Sequence, residues 1–196
     1  MILRTISLTL EVMLMGKTWV ALFSQSGSEI ADISDTLGKK PDLVITNRRP
    51  EHLRQIDSRI TSQDFILHET ANKPKEKNLK SIFEQYSKDS ELIVTLHGWL
   101  RIMPPDICKQ YKIYNGHPGL ITKYPELKGK DPQVRMMNGS YDTMGCVLHE
   151  VTAGVDEGEI LLSKEVSRKG LEEQDIFRIL SNISQELWIE FLKNKI

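Results

Sequence analysis

The densest chemistry in this 196-residue chain is the segment Asn115-Gly116-His117-Pro118-Gly119. An Asn side chain supplies a neutral hydrogen-bond donor, and a His supplies a proton donor or acceptor near neutral pH. Pro118 and Gly119 predict a tight turn that would hold both side chains outward. A His beside a Pro is more often a turn residue than a catalyst, so the segment needs a partner before it reads as a site. Asp156, in Gly154-Val155-Asp156-Glu157-Gly158-Glu159, is a candidate, because a carboxylate close to an imidazole raises the ring's proton affinity. The same stretch also reads as a solvated acidic turn, and only the fold could bring Asp156 to His117. Ser24-Gln25-Ser26-Gly27-Ser28 follows an apolar run and would open a helix, where free N–H groups suit a phosphate. It matches neither the P-loop nor the glycine pattern of dinucleotide folds, and Glu29 at the helix start would repel an anion. His97-Gly98-Trp99-Leu100-Arg101-Ile102-Met103-Pro104-Pro105 is an apolar loop that either grips a flat heterocycle through its backbone or packs onto the core.

The elements that must position these segments follow from hydrophobic periodicity. Thr18–Phe23, Asp42–Thr46, Phe65–His68 and Leu92–Leu96 are short apolar runs and predict strands. Between them, Glu29–Leu37 ends at Gly38 and reads as a helix, as do Pro50–Ile60 and Lys75–Ser87. Lys112-Ile113-Tyr114 is a strand end. Alternation of this kind predicts an α/β fold with a Rossmann-like, mostly parallel sheet flanked by helices. Ligands of such sheets bind beyond the carboxyl ends of the strands, so residues 24–28, 97–103 and 115–119 should gather on one edge. Gly145–Val151 and Glu159–Val166 then predict a C-terminal hairpin, and Leu171–Asn194 a closing amphipathic helix.

Composition narrows the classes. Hydrophobic residues make up 39% and charged residues 27%, enough for a packed core. Lys and Arg total 26 against 27 Asp and Glu, which argues against a partner that is a nucleic-acid polymer. No apolar run is long enough to span a bilayer. Cys108 and Cys146 form no disulfide framework, and His97, His117 and His149 lack ligand spacing, so no metal is expected. A cytoplasmic protein, monomer or homodimer, is the expectation. Residues 1–17 read as an extension with Met15 as the working start, and residues 18–196 as a single domain.

These segments also occur in the order of one family. The chain has Ser24-Gln25-Ser26-Gly27-Ser28-Glu29 for a loop of the type S-G-x-G-S-N, and Gly98-Trp99-Leu100-Arg101-Ile102-Met103 for G-[FW]-M-R-I-L. It has Asn115-Gly116-His117-Pro118 for N-x-H-P, Gly145-Cys146-Val147-Leu148-His149 for G-x-[ST]-V-H, and Asp156-Glu157-Gly158-Glu159-Ile160 for D-x-G-x-[IV]. The chain therefore resembles the folate-dependent formyltransferases, and most closely those acting on glycinamide ribonucleotide, over roughly Thr18 to Val166. The resemblance implies the formyltransferase fold. It also implies N10-formyltetrahydrofolate as co-substrate and a small-molecule amine as acceptor. By position it makes Asn115, His117 and Asp156 catalytic, with Asn115 and a protonated His117 polarising the formyl oxygen. It places the folate against Leu100, Arg101, Ile102, Met103 and Val155, and the acceptor against Ser26, Gly27, Ser28, Pro118 and Ser184. His149 matches a His near the catalytic Asp.

Three departures concern the acceptor. Gln25 stands for a Gly, Glu29 for an Asn, and Ser184 falls where the family's last helix offers a Glu, with Glu186 close by. A nucleotide-linked amino sugar or a modified nucleotide therefore remains as an alternative acceptor. Formyltetrahydrofolate hydrolysis, or a non-catalytic folate- or nucleotide-binding module, remains as an alternative function.

Overall fold

Trp19–Phe23 is apolar at every position, which suits a strand covered on both faces. In the computed structural model, which describes residues 16–48, 52 and 55–196, it forms β1 (Gly16–Phe23), at the middle of a seven-stranded sheet. The other strands are β2 (Leu43–Thr46), β3 (Leu67–Glu69), β4 (Ser90–His97), β5 (Ile113–His117), β6 (Thr143–Glu150) and β7 (Ile160–Ser167). The order is β3-β2-β1-β4-β5-β6-β7. The strands from β3 through β5 run parallel, and β6 and β7 are antiparallel to their neighbours. The expected α/β architecture with its C-terminal hairpin is present.

The helices are α1 (Ser28–Leu37), α2 (Glu76–Tyr86), α3 (Pro105–Gln110), α4 (Pro132–Asn138) and α5 (Glu173–Lys193). Trp19, Ala21 and Phe23 pack with α1 and α5, while Val20 and Leu22 pack with α2 and α3 on the opposite face. Period-two alternation along β1 produces this division. α1 is bounded by two left-handed glycines, Gly27 (φ 76°) and Gly38 (φ 64°), the second being the helix stop expected at that residue.

Three differences from the sequence reading have physical reasons. The helix expected over Pro50–Ile60 is not seen at its described end, where Asp57–Ile60 is a turn closed by Ile60 N–H donating to the Asp57 carbonyl. Arg59 ties that turn to α1 by bonding Asp57, Asp32 and Asp35. The helices α3 and α4 are shorter than the window in which periodicity is readable; each begins at a Pro in its first turn. Asn115–His117 is not an outward turn. It is part of β5, and the chain turns only after His117. The start proposed at Met15 lies outside the described residues.

Gly116 shows how tightly β5 meets α5. A Cβ at Gly116 would lie 2.7 Å from Nε1 of the fully buried Trp188. Gly116→Ala is expected to destabilise the fold by roughly 1–3 kcal/mol through overpacking. Trp188→Phe in the same chain should recover part of that loss. Urea denaturation of both single variants and the double variant measures the coupling.

Candidate functional site

A strand sends alternate side chains to opposite faces. In β5, therefore, Asn115 and His117 share one face, and Gly116 meets Trp188 on the other. Antiparallel pairing sets His149 of β6 opposite Asn115. The Asn115 amide nitrogen lies 3.1 Å from His149 Nε2. The connection between β6 and β7 supplies Asp156, a non-glycine residue at φ 52°. Its carboxylate bridges both rings, with Oδ2 3.2 Å from His117 Nδ1 and Oδ1 3.4 Å from His149 Nε2. The Gly129 N–H donates to Oδ2 at 2.7 Å. His117 Nε2 donates to the Leu127 carbonyl at 2.9 Å, and His149 Nδ1 donates to the Glu150 carbonyl at 2.8 Å. The three residues expected to act together are thus in one cluster, with His149 as a fourth member.

Leu127, Gly129 and Arg135 belong to the cluster without having been singled out in the sequence. The Arg135 guanidinium donates to the Leu127 and Lys128 carbonyls and so fixes the segment that holds both His117 and Asp156. Two of these contributions come from the main chain, which leaves no residue-type signal. Arg135 could have been noticed only as a cation near the motif.

The cluster lines a cleft of about 870 Å³ at the carboxyl edge of the parallel strands. Ser26, Gly27, Ser28, Leu100, Arg101, Ile102, Met103, Pro118, Val155 and Ser184 all line it as well. Leu100 and Ile102 are 51% and 73% exposed, so this loop offers apolar surface to a ligand. Met103 is instead buried in the core, and Arg101 is tied to Asn72. Ser26 and Ser28 bond each other through their hydroxyls at 2.9 Å. Phe177 of α5 is an exposed aromatic on the cleft wall that the sequence reading did not single out. Among the described residues, no group of three or more His, Cys, Asp or Glu side chains could hold a metal ion. No described helix is long and apolar enough to cross a membrane.

Comparison with known proteins gives consistent matches. Residues 18–175 match the profile of the family described as "Formyl transferase". Methionyl-tRNA formyltransferase of Thermosipho africanus (strain TCF52B) is 28% identical over 115 residues, 58% of this chain and 36% of that protein. The chain thus spans little more than a third of that relative. Phosphoribosylglycinamide formyltransferase of Dictyostelium discoideum is 23% identical over 168 residues, 74% of this chain and 81% of that one. The crystal structure of phosphoribosylglycinamide formyltransferase from Streptococcus pneumoniae TIGR4 superposes with a TM-score of 0.76 at 19% identity, covering 91% and 98% of the two chains. This last likeness establishes the fold.

The electrostatics of the cluster are set by burial. Desolvation pulls the His117 proton affinity below its ordinary 6.5, against the opposing pull of the Asp156 charge and the Leu127 carbonyl. Burial would raise the Asp156 carboxyl, but the His149 hydrogen bond, the His117 charge and the Gly129 N–H together hold it below 3.8. The folded protein therefore binds a proton at His117 less readily than the unfolded chain does. The stability linked to His117 is present above pH 6.5 and is lost as pH falls below it. The Asp156 contribution is lost only as pH falls below 3.8. Unfolding free energy measured in urea between pH 7.5 and 5 is expected to decline, and His117→Gln is expected to flatten that decline.

Proposed function

This chain belongs to the formyl transferase family, and we propose that it transfers a formyl group from N10-formyltetrahydrofolate to a primary amine of a small acceptor. The observation that carries this reading is the convergence of Asn115, His117, His149 and Asp156 at one end of a cleft whose other wall is the exposed apolar loop at Leu100–Ile102. A ring system stacked on that wall would bring its formyl group toward the cluster. Size and surface therefore fit a folate.

The chemistry divides among the residues as follows. The unprotonated amine attacks the formyl carbon and a C–N bond forms, placing negative charge on the formyl oxygen and positive charge on the nitrogen. An amide has two N–H donors, and Asn115, which lines the cleft, can turn one of them to the developing oxyanion. His117, whose Nε2–H is spent on the Leu127 carbonyl, takes up at Nδ1 the proton shed by the new C–N nitrogen, and the Asp156 carboxylate stabilises the imidazolium so formed. The bond from the formyl carbon to N10 then breaks, and the same proton goes to N10. The imidazolium formed in this step is the protonated His117 that the resemblance implies.

Two kinds of acceptor come into question. Phosphoribosylglycinamide is the one named for the Dictyostelium discoideum protein. An amine on a nucleotide-linked sugar is the second, and the carboxylate of Glu29 on the cleft wall favours it.

Removal of one polarising donor of this kind costs ~10²–10³ in turnover. Asn115→Ala, His117→Ala and Asp156→Ala are each expected to lose formyl transfer by about that factor while keeping a native circular dichroism spectrum. Folate release, followed spectroscopically with a panel of primary amines, supplies the measurement. Full activity in Asp156→Ala would remove the assignment.

A further inference from the structure

A second polar cluster lines the same cleft, on the α1/α5 side of the sheet, and the formyl-transfer step makes no use of it. Its centre is Glu29, in the first turn of α1, with a side chain 25% exposed. His97 Nδ1 donates to its Oε2 at 2.8 Å, and the Ser184 hydroxyl donates to its Oε1 at 2.5 Å. His97 is itself fixed from behind. Its Nε2 lies 2.9 Å from the Thr95 hydroxyl, which accepts from Trp19 Nε1 at 2.8 Å and so has its own hydrogen left for His97. Its ring packs on Trp188, with centroids 4.5 Å apart. Ser184 stands beside the reacting strand, its oxygen 3.4 Å from where a Cβ on Gly116 would lie.

The arrangement holds a carboxylate in place at the mouth of a helix N-terminus. A carboxylate has about four acceptor positions and no donor. His97 and Ser184 fill two of them, and the quarter-exposed side chain turns the remainder toward the cleft. A ligand group there must bring hydrogen. A hydroxyl or an ammonium can do so, whereas a phosphate dianion brings only lone pairs and charge of the same sign. The helix end favours an anion in general, but here the charge of Glu29 in its first turn already offsets it. The hydroxyls of Ser26 and Ser28 bond each other, which leaves the pair a single hydroxyl hydrogen for a ligand.

We propose that Glu29 is an acceptor-binding residue: it receives a hydroxyl or ammonium group of a polyhydroxylated, sugar-like amine and bars a phosphate monoester from the Ser26–Glu29 turn. The proposal rests on the formyl-transfer reading of the cleft for its name of acceptor. The ligand chemistry assigned to Glu29 stands on the contacts just given. An acceptor of this class presents its sugar face to Glu29 and Ser184 and its amine to the strand at Asn115–His117.

The test uses the full-length chain, Glu29→Gln and Glu29→Asp, each titrated calorimetrically with inorganic phosphate and with D-glucosamine. The wild type is expected to take up D-glucosamine and to refuse phosphate. Glu29→Gln removes the charge at constant size; it should weaken D-glucosamine by roughly tenfold or more and admit phosphate. Glu29→Asp keeps the charge and should still refuse phosphate, a result that a merely structural role for Glu29 does not foretell. Phosphate bound by the wild type as well as by Glu29→Gln overturns the proposal, as does phosphate bound by Glu29→Asp as readily as by Glu29→Gln. Formyl transfer to D-glucosamine and to D-glucosamine 6-phosphate is measured in parallel. If the titrations go as expected and neither amine is formylated, the ligand assignment of Glu29 stands, and the transfer reading falls only if the wider panel of primary amines is refused as well. If the 6-phosphate is the better substrate of the wild type, the Glu29 assignment falls and formyl transfer stands.

Discussion

One carboxylate reaching two imidazoles is the constraint on which the site depends. Asp156 accepts from the Gly129 N–H and faces both His117 and His149, so three separate segments converge on two oxygen atoms. Burying that charge is costly unless every lone pair is used, and this one is nearly enclosed, with a side chain 12% exposed. The backbone is strained to deliver it: a non-glycine residue at φ 52° is uncommon, and Asp is among the few types that tolerate it. Strain and desolvation are both offset by the same contacts, and those contacts exist only when β5, β6 and the segment at Leu127–Gly129 are all in place. The site and the closing half of the fold therefore form together.

The C-terminal hairpin joins an otherwise parallel sheet by antiparallel pairing. The residues between His117 and Thr143 are numerous enough for a crossover, so loop length does not choose the direction. Antiparallel β6 puts His149 directly opposite Asn115 on the same face, and the short connection after Glu150 needs only a few residues to carry Asp156 back to both rings. Register fixes the pairing: a slip of one residue would send His149 to the face of Leu148, into the core beneath α5.

The sequence was informative where a pattern repeats. Strong strands such as Leu92–Leu96 and the long helix ending the chain were legible because apolar spacing has a period, and Gly38 marked a helix stop through its conformational freedom. The clustering on one strand edge followed from the alternation of elements alone. Other features had no such pattern. Asn115–His117 carries too few apolar residues to read as strand, yet its pairing on both sides makes it one. Pro50–Ile60 has helical spacing, but the side-chain bonds of Arg59 and Asp57 support a turn at its end instead. The main-chain donors and acceptors at Gly129 and Leu127 are independent of side-chain identity, so no residue-type motif could reveal them. The contact of Glu29 with Ser184 joins positions 155 apart, and only the docking of α5 on α1 creates it.

The cleft thus holds two fixed carboxylates on opposite sides of the sheet edge, and their surroundings assign them different work. Asp156 is enclosed by groups that can carry a proton, two imidazoles on either side of it, and it is poised to organise proton movement. Glu29 is held by donors that stay where they are, a Ser hydroxyl and a ring locked behind by Thr95 and Trp19, and it retains open acceptor positions toward the cleft. A group that moves protons needs partners of matched affinity. A group that recognises a ligand needs to be immobile before the ligand arrives, because ordering it later would cost affinity. The rigid scaffold behind Glu29, running through His97 to the centre of β1, meets the second requirement. On the proposed assignments, reaction and selection are separated across a single strand, with Asn115 and His117 on one face and Gly116, pressed against Trp188, on the other.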